Sequence, residues 1–350
     1  MWQVERLSKN DIKLTQMIEF LNACFKNWGD MGYWNWKYEK KNLLNMSSNA
    51  WFIRNASEVI GFYGHVPLKI KINKNVYFGS QAVDSATHPN YRRKGIFAAL
   101  DKTSVFHAGE EGTKVFYGLG VIQESTKGHI TKGNWKLWCQ GVTLIRILDL
   151  RKLGHKYLKK IFIEIPALNT LNQFLVPKIK KKGPSYVETD EISQFDSKII
   201  SLYDRASRKF DFIVERSPEY LNWRVSHPRK NYHIFVANIN ARICGYMVIH
   251  HNKILNRYEI EDYLYDGNPV VFDCLIKYVL IRAFNSRCAS VTATITQHHP
   301  YSVMFYKNLF FRIRNRTQYI CHYENICKED QIVFKKAKSA VHLTRFDKNE

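Results

Sequence analysis

No stretch of this 350-residue chain approaches the roughly 18 consecutive apolar residues that a membrane-spanning helix requires. The opening residues, MWQVERLSKNDIK, lack the apolar core of a secretory signal. The seven cysteines (24, 139, 244, 274, 288, 321 and 327) include no CxxC pair and no regular spacing, which argues against a zinc site and against a disulfide framework; no metal site is expected. These absences together lead to the expectation of a reduced, cytoplasmic protein. Acidic residues are also scarce. There are 31 Asp and Glu against 53 Lys and Arg, a net charge of +22. Such a field suits nucleic acid, but the basic residues are scattered through a Lys/Asn/Ile-rich chain, with only short clusters such as Lys178–Lys182. An anionic substrate or cosubstrate explains the charge as well.

What is present is apolar and aromatic substance: 45% hydrophobic and 14% aromatic residues, sufficient for two domains with sizeable cores. A weak internal repeat divides the chain. QVERLSKNDIKLTQMIEFL resembles YVETDEISQFDSKIISLYD, pairing Val4 with Val187, 183 positions on. YWNWKYEKKN resembles YLNWRVSHPRKN, pairing Trp36 with Trp223 at 187. WFIRNASEVIGFYG resembles HIFVANINARICGYMV, pairing Gly61 with Gly245 at 184. Such self-similarity at one period means two copies of one fold. Each copy reads as a short strand (Gln3–Leu7; Tyr186–Thr189), then a helix with apolar residues at helical spacing (Ile12, Met17, Ile18, Leu21; Ile199, Ile200, Tyr203), then an aromatic segment. In the first copy a hairpin follows, Ala50–Arg54 and Val59–Val66, turning at Asn55-Ala56-Ser57. A strand Val76–Ala86, a helix Ile96–Gly109 and a strand Lys114–Leu119 complete it. This alternation predicts a mixed α/β sheet. The expected organisation is a first domain over 1–145, a helical connector over 146–185 ending in KKKGPS, and a second domain over 186–350.

The stretch THPNYRRKGIFAAL, residues 87–100, is electrostatically odd. Three cations, Arg92, Arg93 and Lys94, lead through Gly95 into a helix whose N-terminus already carries partial positive charge. A strand, a basic glycine turn and a helix together form an anion-binding arrangement, because the first backbone N–H groups of the helix are unpaired. The alternative is a solvated basic turn before an ordinary buried helix. The P-loop and the Rossmann fingerprint do not fit, since both need further glycines.

The stretch resembles motif A of the GCN5-related N-acetyltransferases, as Arg92-x-x-Gly95-x-Phe97, with Phe97 where the family has Gly or Ala. Phe305-Tyr306-Lys307-Asn308-Leu309-Phe310-Phe311 is similar to the late motif of that family, and His129 to Trp135 is its counterpart in the first half. The resemblance implies two tandem acyl-CoA N-acyltransferase folds, each a mixed, mostly antiparallel sheet flanked by helices. It implies acetyl-CoA as cosubstrate, its pyrophosphate on the loop backbone, and direct attack by a primary amine in a ternary complex. The implied cosubstrate contacts are Ala86, Thr87, Arg92, Arg93, Lys94, Gly95, Ile96, Phe97 and Ser125. The second half has DYLYDGNPVVFDCL, acidic and without arginine, where the first has its basic turn, so it is expected to shape the substrate cleft and to bind no cosubstrate.

Acyl transfer to an amine needs a base, a carbonyl-polarising group and a proton donor for the thiolate. The candidates are three. Asp84 serves as base or is tied to turn backbone. His88 serves as base or caps the Pro89 turn. His129, in the position of the family tyrosine, protonates the thiolate or is a surface residue. Ser125 bonds the cosubstrate or caps a helix over 126–132. In WGDMGYWNWKY, Trp34 and Tyr33 are candidates for the acceptor pocket, while Trp36, repeated as Trp223, is a packing residue. The acceptor is expected to be a small amine, with a nucleotide-linked amino sugar suggested by charge. The rival readings are a FemABX-like aminoacyl transferase, which lacks the pyrophosphate loop, and a basic nucleic-acid-binding protein without catalysis. The oligomeric state is open.

Overall fold

The computed structural model describes residues 2–7, 14–39, 49–119, 123–149, 152, 184–336 and 338–348. Ile12, the cluster 178–182 and nearly all of the expected connector lie outside them. Among the described residues, strands β1 (Glu5–Arg6), β2 (Ala50–Asn55), β3 (Glu58–Ile72), β4 (Asn75–Thr87), β5 (Val115–Leu119) and β6 (Lys136–Ile147) come from the first half. Helices α1 (Leu14–Phe25), α2 (Met31–Trp34), α3 (Ile96–Glu110) and α4 (Gln123–Lys132) lie between them, with one π-helical turn over Asn35–Glu39. The second half supplies β7 (Glu188–Ile192), α5 (Lys198–Ala206), β8 (Phe212–Val214), α6 (Pro218–Val225) and β9 (Tyr232–Ile239). It continues with β10 (Arg242–Asn252), β11 (Arg257–Tyr265), α7 (Pro269–Asn285), β12 (Ser290–Thr296), α8 (Ser302–Lys307), β13 (Phe311–Tyr323), α9 (Lys328–Lys335) and β14 (Val341–His342).

β2, β4, α3 and β5 fall within a residue or two of their expected places, because each is a local apolar run closed by turn residues. Other readings shift: β3, expected to end at Val66, runs on to Ile72. The strand expected at Tyr186–Thr189 starts at Glu188 and runs to Ile192. In α5 the buried face is Ile199, Leu202 and Ala206, while Ile200 points to solvent.

The strands form one sheet in the order β1-β2-β3-β4-β5-β13-β6-β12-β11-β10-β9-β7, with β8 hydrogen-bonded to β3 and β14 to β8. The two halves exchange their last strands. β13 pairs with β5 (Ile320↔Gly118), and β6 pairs with β12 (Leu144↔Ala293). The halves also meet at the repeated tryptophans. Trp36 and Trp223 stack with ring centres 5.0 Å apart. Each indole N–H donates to the other's backbone carbonyl, at 2.9 and 2.8 Å. Two positions matched by the repeat thus touch across an approximate local two-fold axis.

This exchange carries a prediction. A fragment ending at residue 149 keeps β6 but loses β13, whose Tyr319, Ile320 and Cys321 are fully buried. At roughly 1.5–3 kcal/mol per buried large apolar side chain, the loss rivals the stability of a domain. The fragment 1–149 is expected to show no cooperative thermal transition by circular dichroism. A sharp transition in a monomeric fragment would contradict the role given to the exchanged strands.

Candidate active site

β4 and β5 run parallel only over Gly79↔Val115, Ser80↔Phe116 and Gln81↔Tyr117. Beyond Gln81 they part, although β4 continues to Thr87 and β5 to Leu119. Partnerless β4 backbone therefore faces a gap. A cavity of about 690 Å³ opens along this end of β4, between α1, α3 and α4.

The basic turn lies at its mouth. Gly95 has φ +83°, the left-handed region that glycine enters without strain, and a Cβ built there meets nothing within 4 Å. Arg93 is also left-handed, at φ +63°. The first bond of α3 runs from the Ala99 N–H to the Gly95 carbonyl, so the N–H groups of Ile96, Phe97 and Ala98 have no partner within the helix. No acidic residue occupies the first turn of α3. Among the described residues neither Arg92 nor Arg93 forms an ion pair with a carboxylate, while Lys94 lies over the ring of Tyr91 at 5.0 Å. The Trp2 indole N–H donates to the Lys94 carbonyl at 2.7 Å and holds the turn from outside. This is an anion cradle with its donors and cations unspent.

Ala86, Thr87, Arg92, Arg93, Gly95, Ile96, Phe97 and Ser125 all line the cavity, and Lys94 does not. Ser125 is the third residue of α4, not the cap of a helix over 126–132. Cavity residues that sequence reasoning passed over are Cys24 and Phe25 of α1, and Gly128 and Lys132 of α4. The α4 pair carried a signal: Ser125, Gly128 and Lys132 recur at helical spacing and share one face.

The acid–base candidates are placed elsewhere. Asp84 sits at a bulge of β4 with φ +51°. The buried Lys37 ammonium approaches its two oxygens at 2.9 and 2.8 Å, and the Tyr38 hydroxyl donates to one of them at 2.6 Å. Its oxygens are thus engaged by a cation and a donor. The corresponding acid of the second half, Asp262, is likewise buried against Arg216 at 3.0 Å. His88 caps the short turn Pro89–Tyr91, its Nδ1 accepting from the Asn90 N–H at 3.3 Å. His129 is neither at the surface nor in the cavity. It is buried behind Phe97, ring to ring at 4.8 Å, and burial holds its pKa down to about 4. Trp34 and Tyr33 do not wall the cavity. Both are core residues, Trp34 packing on Tyr38 and Phe62 and Tyr33 stacking on Trp36. An aromatic segment with a single polar turn presents more ring surface than one pocket can take, and the contact between the halves absorbs it.

In the second half the turn before α7 is closed. Asn268 accepts from the Val270 N–H, Pro269 fills the first helical position, and the Lys209 ammonium lies where a Cβ on Gly267 would be. The half without a basic turn therefore has a cation of its own at the equivalent place. No helix among the described residues is long and apolar enough to cross a membrane.

A parted pair of parallel strands beside a helix that begins at a basic, left-handed turn defines the class: an acyltransferase fold with an anion-binding helix start. Residues 4–124, from the segment of β1 into α4, match the model of the acetyltransferase (GNAT) domain. Comparison with curated protein sequences returns no match. Among solved structures, a GCN5-related N-acetyltransferase from Anabaena variabilis superposes with a TM-score of 0.67 at 13% identity, covering 94% of this chain and 74% of that one. A probable N-acyltransferase from Enterococcus faecalis gives 0.66 at 11%, covering 92% and 72%. The Saccharomyces cerevisiae N-myristoyltransferase with bound myristoyl-CoA gives 0.64 at 11%, covering 98% and 85%. These likenesses extend over both halves and concern the fold.

Proposed function

We propose that the protein transfers an acyl group from an acyl-CoA thioester to a primary amine. The observation that carries this reading is the unspent cradle at the start of α3 beside the gap between β4 and β5. The loop N–H groups and Arg92 and Arg93 take the pyrophosphate. The pantetheine runs along Thr87, Ala86 and Ser85 into the gap, where backbone N–H groups of β4 polarise the thioester carbonyl. Holding both reactants there supplies much of the rate as orientation. The first domain, 1–145, holds the donor, and the second, 186–350, shapes the cleft for the acceptor without binding donor of its own. Acetyl is the favoured acyl group. The net charge of +22 favours an anionic acceptor, such as a nucleotide-linked amino sugar.

Thermal unfolding with acetyl-CoA, myristoyl-CoA and free coenzyme A tests the donor. A ligand at one hundred times its Kd stabilises by about 2.7 kcal/mol, a shift of several degrees. A rise with acetyl-CoA is expected. No rise with any of the three removes the reading. Release of free thiol from acetyl-CoA on adding amino sugars or polyamines then sorts the acceptors, and turnover of polyamines alone would reject the anionic acceptor.

A further inference from the structure

Behind the cavity wall formed by Phe97, Ser125 and Gly128 lies a buried polar chain that the acyl-transfer reading does not use. Asp101 of α3 and Tyr63 of β3 are 1% and 0% exposed, and His129 is 3% exposed. The Tyr63 hydroxyl is 2.8 Å from Asp101 Oδ1 and 2.8 Å from His129 Nε2. His129 Nδ1 is 2.8 Å from the Ser125 carbonyl and 3.4 Å from Ser125 Oγ. The Trp135 indole N–H donates to Asp101 at 3.1 Å. Room for the carboxylate is made by Gly133, where a Cβ would lie 2.0 Å from Asp101 Oδ2.

Counting protons exposes a conflict. A carbonyl only accepts, so its 2.8 Å contact assigns a proton to Nδ1. Neutral His129 then offers Nε2 as an acceptor, and Tyr63 has a single proton for two acceptors, Nε2 and an ionised Asp101. One contact of 2.8 Å would join two lone pairs. A single additional proton on Asp101 resolves it: Asp101 donates to the Tyr63 oxygen, Tyr63 to Nε2, and Nδ1–H to the carbonyl. With that proton gone the chain reverses: Tyr63 donates to the Asp101 carboxylate, Nε2–H to Tyr63 and Ser125 Oγ–H to Nδ1, and the contact between Nδ1 and the Ser125 carbonyl, now between two acceptors, has to lengthen as Nδ1 turns to Oγ.

We propose that Asp101, Tyr63 and His129 form a relay that stores one proton on Asp101 and delivers it through Ser125 to the leaving group in the cavity. The identity of that leaving group, a thiolate, rests on the acyl-transfer reading. The step balances. The Ser125 O–H bond breaks as the S–H bond forms; Ser125 takes the Nδ1 proton, Nε2 takes that of Tyr63, and Tyr63 takes that of Asp101, which is left as carboxylate until solvent reloads it. Ser125 alone touches the leaving group, and the other three act through it. Burial pushes Asp101 up to about 6 and holds His129 down to about 4, so the stored proton rests on the carboxyl. The ionisable groups around the chain are His65 of β3, held by burial down to about 3, His322 of β13, paired with Glu324, the Arg6–Glu111 pair, and Lys132 at the mouth of the cavity.

Infrared difference spectra of the free protein, wild type minus Asp101→Asn, are to be recorded from about pH 6 to about pH 8. They are expected to show a protonated-carboxyl stretch at the acid end that fades as pH rises. Nitrogen-15 NMR is expected to find His129 with the proton on Nδ1 while that band persists, and on Nε2 once it is gone. A spectrum without the band, or a His129 that never changes tautomer, overturns the relay. Where Asp101→Asn does not fold, Tyr63→Phe decides, since it severs the chain and is expected to lock the tautomer at every pH. In turnover either variant is expected to lower kcat on the order of 10²-fold with the donor KM unchanged; unchanged kcat overturns the proposal. A wild type without acyl transfer sinks the acyl-transfer reading instead and leaves the relay to the spectra.

Discussion

Gly95→Glu is expected to abolish the thermal shift with acetyl-CoA and to raise the donor KM at least about 100-fold. Two effects add. The residue has φ +83°, so a side chain there strains the turn by about 1 kcal/mol. The new Cβ meets open space at the cavity mouth, so the carboxylate is free to stand where the pyrophosphate is to dock. A like charge at a few ångströms, at an effective dielectric near 20, costs several kcal/mol, and about 2.7 kcal/mol is already a factor of 100. Gly112 controls for the strain. It has φ +95° in the turn after α3, outside the cavity lining, so Gly112→Glu carries the same backbone penalty and is expected to leave the shift intact. Equal shifts for wild type and Gly95→Glu would remove the cradle from the mechanism.

Lowering the pH is expected to unfold the protein between about pH 6 and about pH 4.5. His65, His129, His227, His299 and His342 are all buried. Burial holds His65, His227 and His299 down to about 3, His129 to about 4, and His342 well below its usual value. In the unfolded chain each titrates near 6.5, so their contribution is complete above that pH and is lost as pH falls toward the folded values. Each costs about 1.4 kcal/mol per pH unit once only the unfolded state takes the proton. Over two units the five together cost about 14 kcal/mol, which equals the whole stability of an ordinary domain. Asp101 acts in the opposite direction. Raised to about 6, it stabilises the fold as pH falls from there toward 3.8, by about 3 kcal/mol, an offset much smaller than the loss. Tryptophan fluorescence against pH checks this. A native signal persisting to about pH 3.5 would show that these histidines are hydrated in solution.

The readable parts of the chain were those that a few neighbouring residues decide. The hairpin at Asn55-Ala56-Ser57, the strand into Thr87, the left-handed Gly95 and the helix after it depend on local patterns, and eight of the nine residues assigned to the loop and its surroundings line the cavity. The surroundings of the acid–base candidates were not readable in this way. Asp84 looked like a free carboxylate near a strand end, but a bulge turns it toward Lys37, 47 positions earlier. His129 stands in a polar Lys/Thr/Gly segment, yet Tyr63 and Asp101 bury it from two other elements. Phe25 and Cys24 reach the cavity from a helix far upstream of the basic turn that they face.

By itself the sequence showed a weak internal repeat and a basic glycine turn in its first half alone, because a repeat and a charge pattern are properties of order along the chain. The tertiary structure alone decided that the halves exchange β6 and β13, that Trp36 meets Trp223, and that a buried hydrogen-bonded polar chain lies behind Phe97. Strand pairing and side-chain burial join residues far apart along the chain, 38 positions for Tyr63 and Asp101 and 187 for Trp36 and Trp223. Apolar spacing states that a face is to be covered, and only the packed chain settles what covers it.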